Sequence, residues 1–414
     1  MLLSFSRLWI WDELKDALPW YYAVSTNRMP AKYLITSRVP CDIDLSEDDD
    51  ALWKEHAKAT ETFLRIWKEI RSGKKRLADF EKETPSFMDL SVELVRRMLR
   101  HCNFCRWNCR VDRSEGKKLG TCQLEAVSRV GSYFHHRGEE LVFRGTRGSG
   151  TIFFTSCNMR CAFCQNADIS RDKDRGIAVT PEQLATMVWQ LRIEGCHNIN
   201  WVGGEPTIHL HTIVEAVSLL DSLKPLARDI MHVERVKSDF EVFRYDQLEA
   251  QYDGQFNVPM LWNSNFFMSP ETMRILRPLI DIWLPDFKFG NNKCAVFLAR
   301  TPWYFETVSS NHKLIYEWGE DLVIRHLVMP NHVECCTKPV LDWIAENIPR
   351  SLVNIMGQYH PDYACDPLLP TYDPKYKDLS RYPTKEEIKE SYNYAKKLGL
   401  RFELISLEKK ARFV

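Results

Sequence analysis

The chain has 414 residues, 44% of them hydrophobic, so it can bury a large core and form two domains or one domain with a substantial extension. Its 56 basic and 56 acidic residues balance, so the net charge does not indicate a nucleic-acid partner or another strongly charged one. No stretch reaches the roughly eighteen uncharged apolar residues that a membrane span requires. We therefore exclude a transmembrane segment and predict a cytoplasmic protein.

The first twenty residues are mostly apolar, but Asp12, Glu13 and Asp16 interrupt them. We expect no signal peptide, because no small-residue cleavage site follows a basic start. An apolar helical face usually packs against protein, so we expect this one to dock on the protein's own core. The alternative is an interfacial helix lying on a membrane. The apolar side chains concerned are Leu3, Trp9, Trp11, Leu14, Leu18, Trp20 and Tyr21.

Residues 1–100 are interpreted as a mainly helical N-terminal region of unknown role. One helix is predicted after the acidic run 47–50, because acids favour a helix start and apolar residues then recur near a 3.6-residue period. A second predicted helix is SVELVRRMLR. An alternative role is RNA binding through Trp67 and the basic residues that follow it, although a charged, solvated helix end explains them equally well.

Residues 101–146 contain a four-cysteine element with the pattern C-x2-C-x3-C-x12-C, formed by Cys102, Cys105, Cys109 and Cys122. Four soft ligands fit a closed site that holds either tetrahedral zinc or an iron–sulfur cluster, and the spacing does not choose between them. A cluster could relay electrons or bind substrate. Zinc would join the N-terminal region to the rest of the chain and contribute folding energy.

Short apolar runs alternate with helical segments from about residue 147 to residue 365, starting with the predicted strand GTIFFTS and helix PEQLATMVWQLRIEG. This alternation predicts parallel strands with crossover helices, in an open sheet or a barrel. Functional residues of such folds lie at the carboxyl ends of the strands. Residues 228–255 are expected to carry helix, and residues 366–414 to form a C-terminal tail and a last helix.

Three cysteines, Cys157, Cys161 and Cys164, follow the first predicted strand of this series. A four-iron cluster binds four ligands, and three thiolates leave one iron open to a substrate or a chelating cofactor. A structural zinc ion would require a fourth protein ligand close by. Cys196 and His197 are candidates for that ligand if the fold places them near the three cysteines.

The C-x3-C-x2-C pattern, with Phe163 before its last cysteine, resembles the signature of the radical S-adenosylmethionine (SAM) superfamily. The string GTIFFTSCNMRCAFCQN is similar to the branch related to pyruvate formate-lyase activating enzymes, including archaeal and bacterial members with a preceding four-cysteine element. The resemblance implies an α/β fold with a partial (β/α)6 barrel over residues 147–365. It also implies a [4Fe-4S] cluster, whose open iron chelates SAM and whose electron cleaves it to methionine and a 5′-deoxyadenosyl radical.

The string WVGGEPT ends the next predicted strand and resembles the superfamily's GGE motif, which holds the SAM amino group. Gly203 and Gly204 allow close backbone approach to a ligand, and Glu205 is an acceptor for a cationic amine. The resemblance extends to weaker positions, for which a surface lysine or a core histidine are the alternatives. These are Phe163 as a cofactor contact, Asn263 or Asn265 at the ribose, Lys288 at the SAM carboxylate and His360 near the adenine.

The resemblance implies an oxidoreductase that abstracts hydrogen from a substrate, with reduced ferredoxin or flavodoxin as the electron donor. By analogy with the activating enzymes, the substrate is expected to be a glycine residue of a partner protein. The alternatives are an RNA- or metabolite-modifying enzyme and a non-catalytic iron–sulfur or zinc protein on the same fold. Cys335, Cys336 and Cys365 are interpreted as structural or incidental, the alternatives being ligands of an auxiliary cluster or thiols near the radical.

Overall fold

The computed structural model describes residues 15–145, 147–223 and 250–406. Most of the segment 228–255, where a helix was expected, lies outside the described residues. Its described end forms a short antiparallel hairpin. None of the helices in these three ranges is both long enough and apolar enough to cross a membrane.

Strands and helices alternate through most of the described chain. The strands are β1 Ser128–His136, β2 Ser149–Phe154, β3 Ile177–Val179, β4 Ile199–Gly203, β5 Gln251–Tyr252, β6 Gln255–Phe256, β7 Met260–Trp262, β8 Ile282–Trp283, β9 Val323–Leu327 and β10 Leu352–Met356. The α-helices are α1 Pro19–Ser25, α2 Lys32–Thr36, α3 Asp49–Arg71, α4 Phe87–Arg100, α5 Leu141–Arg144, α6 Ala167–Arg171, α7 Pro181–Ile193, α8 Leu210–Leu219, α9 Pro270–Leu276, α10 Asn292–Ala299, α11 Tyr304–Trp318, α12 Lys338–Asn347, α13 Lys385–Lys397 and α14 Glu403–Ser406.

Six parallel strands form the partial barrel. Strands β2, β4, β7 and β8 are neighbours in one sheet, and β9 pairs with β10. Single parallel bridges from Trp283 to Leu322 and from Asp286 to Arg325 connect the two groups. The predicted partial (β/α)6 architecture with a helical N-terminal region is therefore confirmed, and the carboxyl ends of its strands share one edge.

Helix α7 illustrates how local sequence sets these elements. Thr180 caps its start, since the Thr180 hydroxyl accepts from the Gln183 amide at 3.3 Å and the Gln183 side chain accepts from the Thr180 amide at 2.9 Å. Pro181 occupies the first turn, where its missing N–H has no consequence. This capping box begins the helix at the place that the sequence PEQLATMVWQLRIEG predicts.

Two parts of the fold were missing from the sequence analysis. Strand β1 lies before the expected boundary at residue 147, yet it joins the main sheet by antiparallel pairing with β2 and β3. Helices α10 and α11 lie between β8 and β9. Of these elements, helix α10 fixes the cysteine loop of the site described below.

The N-terminal helices cover the amino-terminal ends of β8 and β9. Asp281 precedes β8 and accepts from the Trp20 indole at 2.8 Å and from the Lys32 amide at 3.0 Å. Asp321 precedes β9 and accepts from the Tyr21 amide at 2.8 Å. The expectation that this apolar segment docks on the protein core holds for its described part, because Leu18, Trp20 and Tyr21 are buried. Leu3, Trp9, Trp11 and Leu14 lie outside the described residues.

Trp67, the aromatic residue of the RNA-binding alternative, belongs to the core. Its side chain is 7% exposed and packs edge-on against Trp20, with ring centroids 5.4 Å apart. Lys32 and Arg71 contact its ring from other directions. Trp67 is therefore unavailable as a stacking platform for a base.

Candidate active site

The loop that carries Cys157, Cys161 and Cys164 begins directly after β2. Its backbone is fixed to helix α10, because the Arg160 amide donates to the Ala299 carbonyl at 3.0 Å and the Ala162 amide donates to the Leu298 carbonyl at 2.7 Å. The end of α10 therefore positions the middle of the cysteine loop.

Burial raises the pKa of two thiols in this loop, those of Cys157 and Cys161. The pKa of Cys161 rises to about 12, and at Cys157 the Glu205 carboxylate adds to the effect of burial. The Cys157 sulfur accepts from the Met159 amide at 3.3 Å. Ligation by iron therefore requires the loop to release protons as the thiolates form.

The three thiols open into a cavity of about 450 Å³ at the carboxyl edge of the strands. This volume is in the range of small-molecule sites, about 300–1,000 Å³. All but one of the residues predicted to contact the cluster or SAM border this cavity. They are Cys157, Cys161, Phe163, Cys164, Gly203, Gly204, Glu205, Asn263, Asn265 and Lys288.

Gly203 and Gly204 are required by a close backbone contact within the protein. Gly203 has a φ of +120°, and a Cβ placed on it would lie 2.2 Å from the amide nitrogen of Phe154. A Cβ on Gly204 would lie 1.7 Å from the carbonyl oxygen of Ser156. The glycines thus bring β4 against the start of the cysteine loop, a reason that the sequence motif did not reveal.

Glu205 is 1% exposed and holds two loops together. Its Oε1 accepts from the Thr207 hydroxyl and the Ser264 hydroxyl, both at 2.6 Å, and its Oε2 accepts from the Asn265 amide at 2.9 Å. The Asn265 side chain in turn donates to Asn158 Oδ1 at 2.7 Å, beside the first cysteine. Burial raises the pKa of Glu205, and these hydrogen bonds oppose that rise.

Phe163 has aromatic neighbours and Lys288 has a charged one, although both border the same cavity. Phe163 is buried between the rings of Phe289 and Tyr359, at centroid distances of 6.1 and 6.0 Å. Lys288 forms an ion pair with Asp286. Burial lowers the pKa of Lys288, but Asp286 and Cys161 raise it by more, so the ammonium group stays charged.

Two sets of candidate residues lie elsewhere. His360 does not border the cavity, where Gln358 is found; beyond β10 the chain turns away, and the His360 ring lies near Tyr382. Cys196 and His197 precede β4 at the amino edge of the sheet, whereas the cysteine loop follows β2 at the carboxyl edge. They cannot complete a zinc site with the three cysteines.

A buried acid–arginine cluster, which the sequence analysis missed, also borders the cavity. Arg325 forms ion pairs with Glu139 and Glu140, and its guanidinium donates to Asn263 Oδ1 at 3.2 Å. Asn354 donates to Glu140 Oε1 at 2.7 Å. At Glu139, burial acts to raise the pKa, but the Arg325 charge outweighs it and the pKa is lowered. At Glu140, burial prevails over Arg325 and the pKa is raised. The sequence contained one signal of this cluster: Arg325 is a charged residue within the otherwise largely apolar predicted strand IRHLVMP.

The four-cysteine element packs directly on the cysteine loop. The Trp107 indole donates to the Asn158 carbonyl at 2.7 Å, and Arg160 donates to the Thr121 carbonyl at 2.7 Å. Cys102, Cys105 and Cys122 are buried. Burial raises the pKa of Cys102 and Cys105, and the neighbouring Cys122 adds to both rises. Among the described residues, however, no three of these sulfurs, with Cys109 included, lie within 4.8 Å of one another.

The sulfurs of Cys157, Cys161 and Cys164 likewise do not all lie within 4.8 Å of one another in the described structure. A single tetrahedral ion holds its ligand sulfurs about 3.8 Å apart, from metal–sulfur bonds of about 2.3 Å. A cubane cluster attaches each thiolate to a different iron and needs wider separation. Three soft thiols that line a cavity large enough for a small molecule, without gathering as the ligands of one ion, therefore fit a [4Fe-4S] cluster with SAM.

Fold and site together define a radical SAM protein. The sequence profile described as the radical SAM superfamily matches residues 151–344, and the chain belongs to this superfamily. It is 33% identical over 386 residues to the uncharacterized protein MJ0674 of Methanocaldococcus jannaschii, covering 92% of this chain and 97% of that protein.

Solved structures with related folds are more distant. Streptococcus suis SuiB bound to S-adenosylmethionine is 15% identical, with a TM-score of 0.37 and coverage of 60% of this chain. The chain spans about half of SuiB, 48% of its length. A domain of pyruvate-formate lyase-activating enzyme from Bacteroides vulgatus is 14% identical with a TM-score of 0.31, covering 50% of this chain and 96% of that domain.

Proposed function

We propose that this protein is an enzyme that reductively cleaves SAM and abstracts hydrogen from a substrate bound in the same cavity. One observation carries the proposal: Cys157, Cys161, Cys164, Glu205 and Lys288 converge on one cavity at the carboxyl edge of the barrel. The cysteine loop, Glu205 and Lys288 are separated in sequence, so their convergence is a property of the fold rather than of one local motif.

The bound [4Fe-4S] cluster would supply the electron that cleaves SAM to methionine and a 5′-deoxyadenosyl radical. The chain's own residues bind and orient. Lys288 is a cation suited to the SAM carboxylate, and Glu205 an acceptor suited to its amine. Asn263 and Asn265 are polar partners for the ribose. Phe163 excludes water on the side of the last cysteine.

For the substrate we propose a glycine residue of a partner protein, by analogy with the activating enzymes, and for the electron donor a reduced ferredoxin or flavodoxin in the cytoplasm. The wall of the cavity carries fixed charges, since Arg325, Glu139 and Glu140 border it. Such a cluster favours polar groups over purely apolar ones. The backbone of a glycine-containing loop presents amide and carbonyl groups of this kind.

The test is anaerobic SAM cleavage by the reconstituted, dithionite-reduced protein, with iron and sulfide counted on the same sample. We expect release of 5′-deoxyadenosine and methionine from the parent protein. The Cys161→Ala variant should lose about four iron atoms per chain and all cleavage. A matched control is Cys41→Ala, which removes a buried cysteine in the N-terminal region. Silence from a fully loaded parent protein would favour a non-catalytic iron–sulfur protein.

For the four-cysteine element we propose a second iron–sulfur cluster rather than zinc, because no three of its sulfurs lie together within 4.8 Å in the described structure, as the ligands of one tetrahedral ion would. Its contact with the cysteine loop through Trp107 suits electron relay. The Cys105→Ala variant should lose a second set of iron atoms and retain the cluster of the cysteine loop. Loss of zinc instead of iron, measured by plasma mass spectrometry, would contradict the assignment.

A further inference from the structure

A third group of soft ligands follows β9 and shares no residue with the cysteine loop or the four-cysteine element. Cys294 is in the first turn of α10, and His332, Cys335 and Cys336 lie in and before the π-helical turn Val333–Thr337. All four donor atoms lie within 4.8 Å of one another. In the described ranges of the chain, this is the one group of three or more such donors that is so compact.

The distances match a single tetrahedral ion. The sulfurs of Cys294 and Cys335 are 3.8 Å apart. The Nδ1 atom of His332 lies 3.2 Å from the sulfur of Cys335, 3.9 Å from that of Cys336 and 4.0 Å from that of Cys294. With zinc–sulfur bonds of about 2.3 Å and zinc–nitrogen bonds of about 2.0 Å, a tetrahedral site has separations of about 3.8 Å and 3.5 Å.

The backbone is shaped to gather these ligands. In the turn, His332 and the two cysteines have the i, i+3 and i+4 spacing that places side chains on one face. Asn291 joins the two segments: its Oδ1 accepts from the Cys294 amide at 2.8 Å, and its Nδ2 donates to the Cys335 carbonyl at 2.7 Å. Hydrogen bonds of this kind orient the segments that carry metal ligands.

Gly290 allows the two segments to approach. A Cβ at this position would lie 2.7 Å from the carbonyl oxygen of Cys335 and 2.8 Å from that of Cys336. Any other residue would push the turn away from α10. The close approach therefore depends on a glycine next to the ligand pair, as packed metal sites often require.

We propose that Cys294, His332, Cys335 and Cys336 bind one zinc ion. Three thiolates and one imidazole form a Cys3His set, which is typical of structural zinc. An iron–sulfur cluster is disfavoured here, because its thiolates bind different irons and would be more widely separated than these four donors. The earlier interpretation of Cys335 and Cys336 as structural or incidental is replaced by ligation.

The zinc site would stabilise the cysteine loop through α10. Cys294 is at the beginning of this helix, and the carbonyls of Leu298 and Ala299 at its end accept from the amides of Ala162 and Arg160. One helix thus connects the proposed zinc ion to the loop that holds Cys157, Cys161 and Cys164. Zinc binding does not depend on SAM cleavage, so the proposal stands or fails separately from the proposed function.

The experiment counts zinc and iron in the full chain after anaerobic reconstitution of its clusters. We expect one zinc per parent chain, its loss in Cys294→Ser and Cys335→Ser, and its retention in the matched control Cys41→Ser. The proposal would be overturned if the zinc content were unchanged in both Cys294→Ser and Cys335→Ser, or if these variants lost iron and not zinc. A Cys294–Cys335 disulfide found by mass spectrometry in a parent protein without zinc would also overturn it.

Zinc K-edge X-ray absorption provides a second measurement, which iron does not disturb. The parent protein should have three sulfurs at about 2.3 Å and one nitrogen at about 2.0 Å around zinc. The His332→Cys variant should keep one zinc and change its ligands to four sulfurs. This variant retains a full ligand set and therefore keeps the proposal testable if the serine variants do not fold. Four sulfurs in the parent protein would place its zinc elsewhere.

Discussion

Glu205 has a structural task and, under the proposed function, also a ligand-binding one. Its Oε1 accepts from Thr207 and Ser264, whereas within the described residues its Oε2 accepts from Asn265 alone. A carboxylate oxygen can accept two hydrogen bonds. Oε2 is therefore the atom of Glu205 that can receive the SAM amine without disturbing the loop.

The Glu205→Gln substitution tests this division of tasks. Glutamine can keep the Oε1 contacts. Its amide nitrogen is a donor and cannot accept from the Asn265 N–H, and the neutral side chain does not attract the charged amine of SAM. We expect the KM for SAM to rise roughly ten- to a hundredfold, since a hydrogen bond to a charged group contributes about 1.5–3 kcal/mol. The measurement is the initial rate of methionine release against SAM concentration.

The Thr207→Val variant is the control for this substitution. It removes one hydrogen bond to Oε1 at 2.6 Å and leaves the charge of Glu205 in place. It should lower the free energy of unfolding without changing the KM for SAM. An equal rise in KM for both variants would show that loop geometry, not the carboxylate charge, governs SAM binding.

The residues of the cysteine loop could be predicted because their signal is local. Cys157, Cys161 and Cys164 are close in sequence and need one strand end to become a site. Arg325 and Glu139 could not be paired in this way, because they are 186 positions apart and each has many alternative partners. The same applies to Cys294 and Cys335, which only the packing of α10 against the π-helical turn brings together.

At the scale of elements, the acid–arginine cluster joins β9 to the segment before α5. Arg325 lies in β9, and its side chain donates to Glu140 Oε1 at 2.8 Å. Both Glu139 and Glu140 are 5% exposed, so neither carboxyl group is hydrated unless the segment moves. The guanidinium is the charge that makes this arrangement stable.

We expect Arg325→Met to lower the free energy of unfolding by about 3–5 kcal/mol, because it leaves buried carboxylates without a counter-charge. The measurement is urea unfolding followed by circular dichroism. Adding Glu139→Gln and Glu140→Gln should recover part of the loss.

The comparison variant is Arg129→Met. Arg129 forms an ion pair with Glu125 on the partly exposed side of β1, where such pairs contribute less than about 1 kcal/mol. If the two arginine variants unfold at the same urea concentration, the buried cluster does not stabilise the junction of β9.

Predictions of elements succeeded where the period was clear and failed where it was not. Helices α3 and α7 follow apolar repeats with capping residues, and both were expected. Strand β1 has exposed and half-buried residues such as Phe134 and His135, because it runs antiparallel beside the parallel series. Its half-covered face gives no continuous apolar run, which is the pattern that identifies buried parallel strands.

At the scale of the whole molecule, the N-terminal helices form the base of the barrel. Burial raises the pKa of Asp281 to about 6 and that of Asp321 to about 7, from an ordinary value of 3.8. The folded protein therefore favours the protonated acids. Their contribution to stability is present at low pH and is lost as pH rises through the interval from about 4 to about 7.

The Asp321→Asn variant should remove the Asp321 part of this dependence. Asparagine keeps an oxygen to accept from the Tyr21 amide and does not ionise. Relative to the parent protein, the variant should gain stability between pH 5 and pH 8, on the order of 1 kcal/mol or more, since one pKa unit corresponds to about 1.4 kcal/mol. Urea unfolding at both pH values gives this difference.

Asp378→Asn is the control for the pH experiment, because Asp378 is exposed on the C-terminal segment. Its stability should follow the parent protein at both pH values. If Asp321→Asn also follows the parent protein, the carboxyl of Asp321 is ionised in the folded state across this range.

The helices at the amino-terminal end of the barrel affect how ligands reach the cavity. Helices α1 and α2 occupy the amino-terminal side of β8 and β9, whereas the cavity lies at the carboxyl edge of the strands. If SAM and the substrate both bind in this cavity, as proposed above, both reach it from the carboxyl side. We expect them to bind in a fixed order, SAM first, and the spent nucleoside to leave only after the substrate has withdrawn.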